Sequence, residues 1–123
     1  MISDTELELQ FEEATSLRDA GDLRGARTIL QRLAAERPDA FPVFLVLGGI
    51  EMDLNDYPAA EKAFAAAIAL KPRSEVASTA MFFTLGHLGR EDEAFAEMHR
   101  FLALRPNSKQ YKAILDELAE SAH

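Results

Sequence analysis

Residues 41–74, FPVFLVLGGIEMDLNDYPAAEKAFAAAIALKPRS, decide the fold. Ala60, Phe64, Ala67 and Pro72 each have counterparts 34 residues away on both sides. These are Ala26 and Ala94, Leu30 and Met98, Leu33 and Phe101, and Pro38 and Pro106. Asn55 falls in step with Gly21 and Gly89, and all three tolerate a left-handed turn. Five columns in register over three units mark stacked supersecondary units of fixed period.

Each unit reads as two helices. Ser3 and Glu6 form a capping-box pattern that starts a first helix at about residue 4, ended by Asp19-Ala20-Gly21-Asp22. Asp22 caps the second helix, whose Leu23, Ala26, Ile29, Leu30 and Leu33 make one apolar face before Pro38 stops it. Asp39 precedes a third helix with Pro42 in its first turn; Asn55-Asp56 then repeats the turn chemistry of Gly21-Asp22. The fourth helix runs from near Pro58 to before Pro72. Ser74 caps a fifth that ends at Gly89, and the sixth spans about Glu91 to Arg105. Asn107 and Gln110 give a last capping-box pattern for a seventh helix, with Tyr111, Ile114, Leu115 and Leu118 on one stripe. No β-alternation of useful length occurs. The expectation is an all-α, right-handed solenoid of three antiparallel hairpins, about 7–40, 41–74 and 75–108, in one domain spanning 1–123. Residues 108–121 would close its open end.

Composition bounds the function. The chain has 123 residues and no cysteine, which removes disulfides, thiolate metal sites and thiol nucleophiles. Its net charge of −8 argues against nucleic acid and anionic membranes, which need a basic, counterion-releasing surface. The apolar run from Ala40 to Ile50 is too short to cross a bilayer, and MISDTELELQ has no signal-peptide pattern, so a cytoplasmic setting is expected. Nine arginines against four lysines, with many alanines, fit a GC-rich bacterial coding sequence. Of the three histidines, His87, His99 and His123, none has a carboxylate or second histidine at metal-ligand spacing of the HExxH kind. Gly48-Gly49 lies within a helical pattern, where no phosphate loop would form, and no serine stands in a G-x-S-x-G frame. No enzyme activity and no cofactor are implied.

The period and its marks resemble the tetratricopeptide repeat over about 102 residues. In 41–74 the matching residues are Phe44, Leu47, Gly48, Ala60, Phe64, Ala67 and Pro72. Residues 7–40 match through Ala14, Leu17, Gly21, Ala26, Leu30 and Pro38. Residues 75–108 match through Met81, Leu85, Gly89, Ala94, Met98, Phe101 and Pro106. Small residues at Gly48 and Ala60, and at Ala14 and Ala26, let the helices of a hairpin approach closely. Three positions depart from the pattern. Phe82 fills the third hairpin's small-residue site, which predicts a splayed or rotated pair. Glu51 stands where an aromatic is usual and Glu13 where a large aliphatic is usual; partial exposure is the simpler expectation for both, a paired charge the sharper one.

The resemblance implies that the first helix of each hairpin lines a concave groove. The groove residues would be Phe11 and Thr15, then Leu45, Val46, Gly49 and Met52, then Val76, Thr79, Phe83 and His87. A family mode that clamps a peptide's terminal carboxylate needs lysine, arginine and asparagine there. Phe11, Thr15, Val46, Val76 and Ala80 hold those sites instead, so a chaperone C-terminal peptide is not the expected ligand. The groove is apolar at its middle and far end, with an acidic rim at the first hairpin. That fits an apolar or amphipathic segment of another protein held by an adaptor or chaperone. Chaperones of bacterial secretion substrates are similar in size and groove character, and an antitoxin-like protein is equally allowed. The alternatives are a homodimer made through the groove or an open end, and a groove filled by the chain's own packing or its terminal helix.

Overall fold

The computed structural model describes residues 1–122; His123 lies outside the described residues. Seven helices follow one another: α1 (Asp4–Asp19), α2 (Leu23–Glu36), α3 (Phe41–Asp53), α4 (Tyr57–Leu70), α5 (Glu75–His87), α6 (Glu91–Leu104) and α7 (Lys109–Ser121). No strand occurs among the described residues.

The punctuation is local. Ser3, Asp22, Asp56 and Ser74 each accept a hydrogen bond from a backbone N–H of the first helical turn, as their spacing predicts. Gly21, Asn55 and Gly89 take positive φ at the three intra-hairpin turns, at 91°, 62° and 74°. One cap differs from expectation. α7 is capped by Ser108, one residue after Asn107, through the backbone N–H of Tyr111. Asp39 caps nothing; with Asp4 it is paired to Arg37, which ties the start of α1 to the end of α2.

α3, α5 and α7 are each 13 residues long and begin 34 residues apart. The closing helix is therefore a fourth first helix laid down in the same register. Tyr111 and Ile114 are buried with Phe82, Met98 and Phe101, so α7 extends the stack. Ser108 Oγ also donates to Glu75 at the start of α5.

The interior forms two apolar clusters. One joins Ala14, Leu30, Leu33, Val43, Leu47 and Ile50; the other joins Phe64, Met81, Phe82, Leu85, Met98, Phe101 and Tyr111. α4 serves both, with Ala63 in the first and Ala60 and Phe64 in the second. A Cβ added to Gly48 would lie 2.5 Å from Phe64 Cε1, so that glycine admits the Phe64 ring. The third hairpin is not splayed: Ala94, Met98 and Phe101 are all buried. Its Phe82 ring instead meets Phe83, Phe95 and Tyr111 edge-on, with centroids 5.5, 5.5 and 5.8 Å away.

Candidate peptide groove

The 34-residue register sets equivalent positions of α1, α3 and α5 side by side. Phe11, Leu45 and Thr79 share one place, Thr15, Gly49 and Phe83 another, and Glu8, Pro42 and Val76 a third. The ten residues expected in the groove are unequally available. Phe11, Thr15, Leu45, Val46, Gly49 and Met52 are half-buried. Phe11 and Val46 pack on the first cluster, Leu45 and Met52 on the second. Thr79 is buried and so is not available as an expected groove residue: its Oγ1 lies 2.9 Å from both the Glu75 carbonyl and the Gln110 side-chain amide of α7. Val76 and Phe83, 51% and 47% exposed, are the large apolar side chains presented to solvent. His87 is exposed but committed on one face, stacked on Tyr57 at 4.6 Å and 8°. The exposed apolar surface thus sits at the far end of the expected groove, because the expected middle positions are partly covered by core contacts.

At that far end α5, α6 and α7 leave a cleft of about 320 Å³. Phe82 is its floor, Phe83, Phe95 and Leu118 its walls, and His87 and Glu91 line its edge. Phe95 and Leu118 are 37% and 44% exposed. Gly86 and Phe95 are not among the residues expected from the sequence, and Leu118 is expected only on the apolar stripe of the terminal helix. The signal was present in the columns: Gly86 stands 34 residues after Met52, and Phe95 after Glu61.

A buried polar network holds α7 against the last hairpin. Ser78 Oγ donates to Glu97 Oε2 at 2.6 Å and is paired with the Tyr111 hydroxyl at 2.7 Å. Arg100 grips the same carboxylate with two N–H groups and reaches the Pro72 carbonyl at 3.0 Å. Burial pushes the Tyr111 hydroxyl up to about 12. Glu13 is exposed, as the simpler expectation had it. Glu51 is not: it is 2% exposed, with Arg27 Nη1 at 3.8 Å and Gln31 Nε2 at 3.5 Å. Its Oε2 accepts no hydrogen bond. Burial raises its carboxyl above the usual range; Arg27 opposes that and Asp56 adds to it.

Among the described residues there is no cluster of three or more His, Asp or Glu arranged to hold a metal ion. Nor is any helix long and apolar enough to cross a membrane. Helical hairpins packed one on the next define a helical repeat protein. A model described as tetratricopeptide repeat matches residues 11–75, and the chain belongs to that family. No curated protein matches its sequence.

Solved structures give the same fold at low identity. The Yersinia enterocolitica type III secretion chaperone SycD, in complex with a peptide of the translocator YopD, superposes with TM-score 0.81 at 18% identity. That match covers 96% of this chain and 90% of that one. The first tetratricopeptide domain of Spaghetti (RPAP3), bound to the HSP90 peptide SRMEEVD, gives 0.80 at 16% identity over 98% of both. A MamA mutant gives 0.73 at 22%, covering 83% of this chain and 74% of that chain, whereas the chain spans 58% of another MamA structure.

Proposed function

We propose that this chain is a non-catalytic protein–protein interaction scaffold, an adaptor or chaperone, whose concave face takes an apolar or amphipathic segment of a partner protein. In this reading the three repeats at 7–40, 41–74 and 75–108 and the terminal helix act as one domain. The carrying observation is Val76 and Phe83, two turns apart on one face of α5 and each about half exposed. Side chains this apolar, held in solvent by a rigid helix on a concave surface, suit a ligand that supplies the missing contacts. The peptides bound by SycD and by the RPAP3 domain support a peptide as the ligand class. The groove carries no arginine or lysine at the carboxylate-clamp sites, which favours an internal segment over a free C-terminus.

A photo-crosslinking residue in place of Phe83 tests this in cells that make the protein. The expected product is a crosslink to an apolar stretch of another protein, not formed from the exposed convex site Ala65. No Phe83-specific adduct would refute the groove.

Leu115 favours a second reading. It is 40% exposed on α7, in the place where Met81 is buried beneath α6 one repeat earlier. A second copy covering that end would make a homodimer, and a SycD structure is described as an alternative dimer. Sedimentation analysis should then show a dimer that Leu115→Glu converts to monomer.

A further inference from the structure

Met52 and Gly86 hold the same place in consecutive repeats, and only Met52 fills it. The Met52 side chain packs into the second cluster, and its sulfur lies 3.4 Å from the Thr84 hydroxyl across α3 and α5, a hydroxyl that also has the Ala80 carbonyl at 2.7 Å. One repeat on, Leu118 takes the place of Thr84 and faces Gly86. A Cβ built on Gly86 meets nothing within 4 Å. The aromatic cleft between α5, α6 and α7 is the volume that this absent side chain leaves open. Its floor is rigid, since Phe82 is locked edge-on between Phe95 and Tyr111.

The setting of the cleft is acidic. Glu91, at its edge, makes no ion pair among the described residues. Glu117 and Glu120 of α7 stand in the register places of Phe83 and Gly86, and both are exposed. Along the rest of the concave face Glu8, Glu12 and Asp53 are exposed, also without ion-pair partners among the described residues. Arg18 is paired to Asp19. Two copies of a chain of net charge −8 would bring such rims together unfavourably.

We propose that the cleft receives one large apolar side chain, leucine, methionine or phenylalanine, of a partner segment whose flanking residues are lysine or arginine. This rests on the groove reading and assigns its anchor and its charge. A side chain entering a preformed aromatic cleft buries apolar area at little reorganisation cost, the arrangement that concentrates binding energy in a few residues. The acidic rim adds speed and selectivity: it accelerates encounter with a basic segment, repels an acidic one, and weakens with salt.

The probes are fluorescein-labelled synthetic amphipathic peptides with one leucine stripe. Their polar faces are all lysine or all glutamate, and a third lysine peptide has its central leucine replaced by alanine. Anisotropy should show the lysine peptide binding about tenfold or more tighter than either of the others, with affinity falling as salt rises. Gly86→Met, which closes the cleft and improves helix propensity, should weaken the lysine peptide about tenfold while leaving the melting temperature equal or higher. Glu117→Lys/Glu120→Lys should narrow the preference over the glutamate peptide. Equal binding of the lysine and glutamate peptides, or full affinity in Gly86→Met, overturns the proposal. If Val46→Glu/Val76→Glu abolishes binding while Gly86→Met does not, the groove stands and the cleft anchor falls. Binding of none of the peptides also overturns the proposal, leaving the groove to the crosslinking result.

Discussion

Replacing Glu51 by glutamine should stabilise the protein at neutral pH. The carboxylate lies between α2 and α3 with one oxygen unpaired, and its nearest cation, Arg27 Nη1, stands 3.8 Å away. At an effective dielectric of ~20 that attraction is about 4 kcal/mol. Removing a charge from water costs several kcal/mol, so the pair at best breaks even. The Gln31 contact at 3.5 Å adds little. A carboxyl raised by burial holds its proton more tightly in the native chain than in the unfolded one. Its ionisation therefore opposes folding: the penalty is absent in acid, grows as pH rises past the unfolded value of about 4.3, and is complete above the raised native value. Glutamine keeps the shape and drops the charge, which should add about 1–2 kcal/mol at pH 7, or roughly 3–8 °C in melting temperature. The advantage should shrink steadily as pH falls towards 4. Arg27→Gln should cost about 2–3 kcal/mol in the parent and much less beside Glu51→Gln, because only the parent is left with an uncompensated buried charge. Thermal melts of the four proteins across pH give every quantity. A Glu51→Gln variant less stable at pH 7, with the deficit disappearing in acid, would show that the ion pair is a net asset and would refute the reasoning.

Three other outcomes follow from local geometry. Gly48→Ala sets a Cβ 2.5 Å from the buried Phe64 ring and should cost about 1–3 kcal/mol in urea unfolding, most of it recovered beside Phe64→Leu. Gly89→Ala meets no atom within 4 Å, so only its φ of 74° is strained; a loss of about 1–2 kcal/mol isolates that backbone term. Tyr111→Phe removes the hydroxyl paired with Ser78 and should cost about 1 kcal/mol at pH 7. Because burial holds native Tyr111 protonated up to about 12, the unfolded chain ionises first, and the parent should lose stability as pH rises from about 10 towards 12. The Phe variant should lack that alkaline loss; identical alkaline profiles would contradict the buried hydroxyl.

The fold was legible because each column of the period states a local constraint. A capping side chain, a positive-φ turn residue or a proline acts on its own few residues and needs no partner elsewhere. The terminal helix was harder to place. It begins in register at Lys109, yet Asp116 replaces the small residue at Gly48's position, so the marks that announce a repeat fade there. The expected groove positions follow from the family resemblance, but their exposure does not. Thr79 is covered by Gln110, 31 residues along the chain, and Glu51 is buried by Arg27 and Gln31, from the preceding repeat. Such burial depends on how closely successive hairpins stack, which depends on side chains from three helices at once. The cleft eluded a reading made of matches, because it is defined by a side chain that Gly86 lacks.

The third hairpin ties these departures together. At the place where helices of a pair approach, the first two hairpins set Ala14 with Leu30 and Gly48 with Phe64, a small residue on the first helix and a large one on the second. The third sets Phe82 with Met98, and both are buried. There is no room for the Phe82 ring to lie where Ala14 and Gly48 leave space, so it turns along the stack towards α7. There its edge meets Tyr111, whose hydroxyl is paired with Ser78 and whose ring packs on Phe101 at 5.7 Å. The same ring contacts Phe83 and Phe95, which turn outward beside Gly86. Seating the terminal helix and shaping the cleft are thus two consequences of one substitution in the repeat pattern. The residue that departs most from the period is also the one through which the last helix is held and the candidate anchor site is formed.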